Sequence, residues 1–318
     1  MLESGRARRN VAGCAPPCGG GADAVKCGPG AQGGTAARDA NREGARMTAG
    51  CEIIDKGDRL VVVNRNAARR NAMSPEWTSG MRRAFAQAAA EPRIAAVILV
   101  GEGGFFCAGG DLNMLMKAAG LSEDRRREGI DNLANLIRDI MRCPCPVIAA
   151  VDGGAAGAGF SIAFACDLIV AARDAKFTAA YVNAGLVPDG GLSASVAAAL
   201  PPALAAELLL LGQPIGAERL HQLGAINALA GPGQALAAAD VLADRLAAGP
   251  GGGQQAIKSL LTSAREQLME RQLAAETPLM ARAIGSPEAR EGMAAFLGKR
   301  PPDYAALRAG ARGDAAPE

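Results

Sequence analysis

Hydrophobic positions along this chain fall into two alternating kinds of run. Leu60-Val-Val-Val-Asn64, behind a Gly57-Asp58 turn, and Ala95-Ala-Val-Ile-Leu-Val100, stopped by Gly101-Glu-Gly-Gly104, have strand length and β-branched content. Pro146-Val-Ile-Ala-Ala-Val151 and Asp167-Leu-Ile-Val-Ala-Ala172 repeat the type. Between them the period lengthens. Ser74-Pro-Glu-Trp77 opens a helix to about residue 90, with Ser74 as N-cap, Pro75 in first position and Glu76 in the first turn. Ile130, Leu133, Leu136, Ile137 and Ile140 recur at helical spacing and predict a helix over about 123–142. Gly153 to Gly159 lead into a helix ending at Cys166, and after Gly191 the chain reads as helices with Gly/Pro breaks to about 298. Strands apolar on both faces and alternating with helices predict a parallel α/β layer. The helical C-terminal third then covers that layer or packs on a neighbouring subunit.

Composition narrows the chemistry. Of 318 residues, 49% are apolar, yet every apolar run is broken before membrane-spanning length, so no membrane role is expected. Lys+Arg 34 against Asp+Glu 32 with 3% aromatics gives neither a basic footprint nor a stacking platform, so nucleic acid is not an expected partner. The single histidine, His221, argues against a multi-histidine metal site, and no metal is expected. It sits in the helical stretch Glu218-Arg-Leu-His-Gln-Leu-Gly224 and reads as structural. Residues 1–46 hold ten of the 41 glycines and almost no large aliphatics, the profile of a disordered N-terminal extension. Cys14, Cys18 and Cys27 in that segment lack the second pair that zinc would need, and no apolar signal core follows the arginines. The other cysteines (Cys51, Cys107, Cys143, Cys145 and Cys166) are scattered among aliphatics, which points to free thiols and a reducing cytoplasm. Cys143-Pro-Cys145 reads as an extended lead-in to a strand.

Two places share one grammar of strand, turn of small residues, then helix: Phe105-Phe-Cys-Ala-Gly-Gly-Asp-Leu112 and Val151-Asp-Gly-Gly-Ala-Ala-Gly-Ala-Gly-Phe160. Such turns let a ligand approach backbone N–H groups at a helix N-terminus. Neither has the lysine of a phosphate-binding P-loop, and the second reads G-x-x-G-x-G, not the dinucleotide fingerprint. Two readings stay open on spacing alone: an oxyanion hole shared by both turns, or close helix packing through glycine.

The ordered set Arg69-Arg-Asn-Ala-Met73, Phe106-Cys-Ala-Gly-Gly-Asp111, Gly153-to-Gly159 with Ala165-Cys-Asp167, and Gly185-Leu-Val-Pro-Asp-Gly-Gly191 resembles the enoyl-CoA hydratase/isomerase (crotonase) family over about Cys51 to Tyr304. The resemblance implies a crotonase-like α/β fold, a spiral of ββα units with a helical C-terminal region. It divides the chain into a core at 47–245, a helical trimerisation region at 246–308 and a flexible tail at 309–318. It further implies an acyl-CoA thioester substrate, no cofactor beyond the coenzyme A of that substrate, and a homotrimer or homohexamer. By motif, the oxyanion N–H groups fall on Cys107 and Ala158, with Cys107 a small spacer and not a nucleophile. Arg70, Ala72, Ala108, Gly109, Gly110 and Asp111 match the CoA groove, Gly157 belongs to the second turn, and Asp111 is also placed to cap the following helix. Trp77 and Met73 are placed to border the acyl pocket or to serve as helix core.

The chain departs from a hydratase where the family's two water-handling glutamates would stand, because Ser161 and Tyr181 occupy those positions. One carboxylate remains in a suitable place, Asp189 in Val187-Pro-Asp-Gly-Gly191. Family members that shift double bonds, including the phenylacetate-pathway ring-opening isomerase type (PaaG-like) that the wording most resembles, carry Asp there. Burial beside Val187 and Pro188 would raise its pKa toward proton transfer. The expected activity is therefore isomerisation of an unsaturated or ring-derived acyl-CoA with Asp189 as proton shuttle. The rivals are hydration or oxepin-CoA-type ring hydrolysis using Asp189 with Ser161, and a non-catalytic CoA- or RNA-binding scaffold in which Asp189 is only a turn residue.

Overall fold

A computed structural model describes residues 46–48 and 50–313 of the chain. The expected N-terminal extension, apart from Arg46, lies outside the described residues. The chain opens with β1 (Arg46–Thr48), β2 (Cys51–Asp55), β3 (Arg59–Asn64), α1 (Pro75–Ala90), β4 (Ala96–Gly101), α2 (Leu112–Ala118) and α3 (Glu123–Arg142). It continues with β5 (Val147–Val151), β6 (Gly154–Ala156), α4 (Ala158–Ala165), β7 (Leu168–Ala172), β8 (Lys176–Thr178), α5 (Leu192–Ala199) and α6 (Pro202–Leu211). It closes with β9 (Pro214–Gly216), α7 (Ala217–Gln222), β10 (Ala228–Ala230), α8 (Ala235–Ala247), α9 (Gly251–Ile284), α10 (Pro287–Leu297) and α11 (Tyr304–Gly313).

Among the described residues the main sheet has the order β1-β2-β3-β4-β5-β7-β10, antiparallel up to β3 and parallel beyond it. A second sheet, β6-β8-β9, stands beside it. The units β5–β6–α4 and β7–β8–α5 each run from a long strand through a short one into a helix, the ββα spiral that the resemblance implies. The long strands are buried on both faces because their residues alternate between two cores. Val97 and Leu99 point into the larger one with Trp77 and Leu136, whereas Ala96, Ile98 and Val100 face Ala235, Ala239 and Ala243 of α8. Each Val, Leu or Ile so placed contributes roughly 1.5–3 kcal/mol. The alanine stripe of α8 allows the close approach.

Local signals behave as the sequence predicts at α1, where Ser74 Oγ accepts from Trp77 N at 3.2 Å, and at α3, which spans the expected residues behind a Ser122 cap. Elsewhere the fold corrects the reading. The second glycine turn contains β6, and the C-terminal third, expected as helices alone, contributes β9 and β10. Ala228-Leu-Ala230 has weak strand propensity. Its register comes from Asn227, whose N–H donates to Ile169 O at 2.9 Å while its Oδ1 accepts from Ile169 N at 2.7 Å. The boundary expected at 245/246 falls inside α8, which covers the sheet, and α11 extends to Gly313, into the expected tail. The long α9 lies along α3, tied by Arg138–Glu270 at 2.8 Å and Arg142–Glu266 at 2.6 Å. Lys258 of α9 is buried and donates to Asp167 Oδ2 at 2.6 Å, so Asp167 joins the α4–β7 junction to the C-terminal helix. The described cysteines are buried and none is in a disulfide, with the Cys143 and Cys145 sulfurs 3.8 Å apart. Among the described residues no helix is long and apolar enough to cross a membrane.

Candidate active site

A cavity of about 950 Å³ opens where the two glycine turns meet. Its first wall is the loop after β3. Arg70 and Asn71 both take left-handed backbone, with φ of 50° and 56°. That conformation is costly for a non-glycine residue but less so for Asn. It is held by the buried Asn71 side chain, whose Oδ1 accepts from Asn66 N at 3.0 Å and whose Nδ2 donates to Glu102 O at 2.7 Å and Phe105 O at 2.5 Å. The Arg70 carbonyl accepts from Ala108 N at 3.0 Å and its guanidinium lies 4.3 Å from the Phe105 ring centre. Met73 N donates to Gly109 O at 2.8 Å. The loop thus grips the first turn, leaving Arg70, Ala72 and Met73 on the cavity wall. Trp77 goes instead to the core, edge-on to Phe106 with ring centres 6.1 Å apart.

The two turns touch through Cys107, which bridges Ala155, and through Gly109. A Cβ on Gly109 would come within 2.6 Å of Ala156 O and 3.0 Å of Ala158 N, so only glycine fits this crossing. Ala158 is the first residue of α4 and lines the cavity, as expected; so do Ala108, Gly110, Asp111 and Gly157. Among the described residues no acceptor meets the N–H of Gly110 or of Ala158. Cys107 is placed differently from the sequence expectation. It is fully buried behind the turn, it does not line the cavity, and burial pushes its thiol up to about 12. Its carbonyl accepts from Ala156 N at 2.9 Å beside the bridge to Ala155, and Gly110, three residues on, lines the cavity in its place. Gly109 is likewise buried beneath the wall.

Opposite the turns, Ser161, Tyr181 and Asp189 form one buried network. The Tyr181 hydroxyl donates to Asp189 Oδ1 at 2.8 Å, Ser161 Oγ donates to the Asp189 carbonyl at 2.8 Å, and the two hydroxyl oxygens are 3.0 Å apart. Gly190 fits against Ser161 Cβ and Leu133, which seats the turn on α4 and α3. Asp189 is only 5% exposed and faces the cavity. Burial raises its carboxyl to about 7, the Tyr181 hydrogen bond opposes the rise, and the charge of Glu276 adds to it. Burial and the adjacent Asp189 hold the Tyr181 phenol well above its ordinary value, so it remains a donor. Among the described residues no donor reaches Asp189 Oδ2. Leu133, Ile130, Met280 and Leu186 also line the cavity.

Asp111 and Asp152 have structural partners. Asp111 caps α2, accepting from Asn113 N at 2.9 Å, and pairs with Arg69 while still lining the cavity. Asp152 accepts from Ala235 N at 3.4 Å at the start of α8. His221, Asp174 and Glu207 are exposed. Sequence reasoning missed Glu276, a buried carboxylate inside α9 that no local motif sets apart from the less buried glutamates of the same helix.

The sequence profile of the enoyl-CoA hydratase/isomerase family matches residues 59–306. The chain is 34% identical over 253 residues to the 1,2-epoxyphenylacetyl-CoA isomerase of Escherichia coli K12, covering 79% of this chain and 96% of that one. It is 30% identical over 248 residues to the 2,3-dehydroadipyl-CoA hydratase of the same organism, covering 77% and 94%. Among solved structures, an enoyl-CoA hydratase from Polaromonas sp. JS666 is 42% identical with a TM-score of 0.66, covering 79% of this chain and 98% of that one. Another from Mycobacterium avium subsp. paratuberculosis K-10 is 29% identical with a TM-score of 0.73, covering 81% and 99%.

Proposed function

The chain belongs to the enoyl-CoA hydratase/isomerase family, and on that premise we propose that it isomerises the double bond of an unsaturated or ring-derived acyl-CoA with Asp189 as the proton shuttle. The thioester oxygen accepts from the N–H groups of Gly110 and Ala158, with Gly110 in the part that the motif assigns to Cys107. Asp189 takes a proton from one carbon, the electron pair moves onto the thioester oxygen, and the same carboxyl returns the proton to another carbon as the pair moves back. Tyr181 holds Oδ1 and keeps the carboxylate aimed, and Oδ2 is the atom that meets the substrate. The chemistry calls for no cofactor beyond the coenzyme A that the substrate carries. The apolar walls formed by Ile130, Leu133 and Met280 fit an uncharged acyl group. Exposed Ile257, Leu260 and Leu261 on α9 fit a homotrimer or a dimer of trimers in the cytoplasm, testable by light scattering.

The observation that carries this reading is the Asp189 carboxyl itself. It is buried at the cavity with a pKa raised to about 7, and its neighbours at the two glutamate positions of a hydratase are hydroxyl side chains that bond to Asp189. Neither hydroxyl is a base able to activate water at neutral pH. The test follows 3-hexenoyl-CoA and crotonyl-CoA by ultraviolet absorbance with wild type and Asp189→Asn. Conjugation of the 3-enoyl thioester, reduced roughly 10²–10⁴-fold in the variant, is the expected result. Hydration of crotonyl-CoA with full activity in the variant would assign the chain to the hydratases and Asp189 to the turn. Inactivity of wild type on both substrates, and on ring-derived thioesters, would favour a binding scaffold.

A further inference from the structure

Glu276 sits inside α9, 85 positions beyond Gly191 in sequence, yet it closes the turn that carries Asp189. It is 6% exposed, and no cation pairs with it among the described residues. Its Oε2 accepts from Gly191 N at 2.6 Å, and its Oε1 accepts from Ser193 N at 3.1 Å and Ser193 Oγ at 2.5 Å. Gln272, one turn earlier on α9, donates to Ser193 Oγ at 2.8 Å. Every partner presents a donor, so both carboxyl oxygens act as acceptors. The first turn of α5 needs such a group, because its N-cap is Gly191, which has no side chain, and the turn holds no acidic residue of its own. A buried carboxylate in this place satisfies orphan N–H groups and complements the helix dipole. The backbone between it and Asp189 is Gly190 and Gly191, with φ of 64° and 72°, so a shift of Gly191 N moves Asp189 directly.

Resting on the isomerase reading above, we propose that Glu276 is a positioning residue for Asp189: from α9 it fixes the turn that carries the shuttle carboxylate and sets a second negative charge behind it. The titratable groups facing Asp189 are then Tyr181, from the segment after β8, and Glu276, from α9. Tyr181 stabilises the ionised carboxyl by hydrogen bonding, and Glu276 opposes ionisation by charge. Burial places proton uptake by Asp189 near neutrality, and these two groups adjust it in opposite directions. The C-terminal helical region therefore takes part in the chemistry without touching substrate.

The test compares Glu276→Gln with Glu276→Asp, using kcat, KM and the pH dependence of kcat/KM for the 3-enoyl thioester. Titration of the protonated Asp189 carbonyl band is read in parallel by infrared difference spectroscopy and assigned by its loss in Asp189→Asn. Glu276→Gln removes the charge and sets an amide donor against N–H donors. Its acid limb and infrared midpoint are expected to move about half a pH unit lower. Its kcat is expected to fall roughly tenfold with KM little changed, because the carboxylate is aimed less well. Glu276→Asp keeps the charge and draws it back, so kcat falls and the midpoint stays. A Glu276→Gln protein that folds cooperatively with wild-type kcat and an unmoved midpoint would reduce Glu276 to a helix cap; should it fail to fold, wild-type kcat in Glu276→Asp overturns the proposal. The infrared midpoint does not depend on turnover, so an Asp189 dispensable for activity would fail the isomerase reading, whereas an unmoved midpoint with wild-type kcat in Glu276→Gln fails the role of Glu276 alone.

Discussion

Replacing Asp189 by Asn should remove activity and raise stability, and the stability gain should depend on pH in a defined way. In the folded protein the carboxyl titrates at about 7, against 3.8 for an ordinary aspartate. A raised pKa means that the folded state binds the proton more tightly, so the stability contribution is full below about pH 4 and is lost as pH rises through 7. One pKa unit corresponds to about 1.4 kcal/mol, so the loss approaches about 4 kcal/mol above pH 7. Asn at 189 does not titrate, and its Oδ1 can still accept from Tyr181. Urea unfolding of both proteins at pH 5 and pH 8 measures the effect. The gain from Asp189→Asn should be larger at pH 8 than at pH 5 by about 2–3 kcal/mol, set by the two units of that interval that lie below the folded pKa. Equal gains at the two pH values would refute a buried, high-pKa carboxyl and remove the base from the mechanism.

Three further outcomes follow from the geometry. Tyr181→Phe deletes the hydrogen bond that lowers the Asp189 pKa, so the acid limb of kcat/KM should move to higher pH, with activity at pH 7 recovered at pH 8–9; an unmoved limb would mean that the 2.8 Å contact does not govern the carboxyl. Ala158→Pro, at the first position of α4 where proline is tolerated, deletes one N–H, and kcat should fall about 10²–10³-fold with cooperative melting retained. Cys107→Ala should keep activity within a few-fold and the wild-type enzyme should resist iodoacetamide, since the thiol is buried with its pKa near 12; loss of turnover on alkylation of Cys107 would contradict this.

The regular part of the fold was legible in the chain because its signals are local. The apolar runs at Leu60–Asn64 and Ala95–Val100, the Ser74 cap and the helical spacing from Ile130 to Ile140 each describe their own element, and the structure has those elements where expected. The glycine turns were legible for the same reason, since a left-handed or crowded backbone position shows itself as Gly whatever packs against it. Asp189 stood out because the carboxylates expected around it were missing from Ser161 and Tyr181.

What only the tertiary structure decided depends on pairs of residues far apart in sequence. β10 is a strand because Asn227 meets Ile169, and no property of Ala228-Leu-Ala230 announces it. Gly110 and not Cys107 lines the cavity, because the bridge to Ala155 holds one end of the first turn behind it and leaves the other facing the cavity. The shuttle's proton affinity is set first by burial, then adjusted by Tyr181 and by Glu276, eight and 87 positions away along the chain. Periodicity reports whether a residue is buried. It does not say beside what, and both hydrogen bonds and buried charges take their strength from that neighbour.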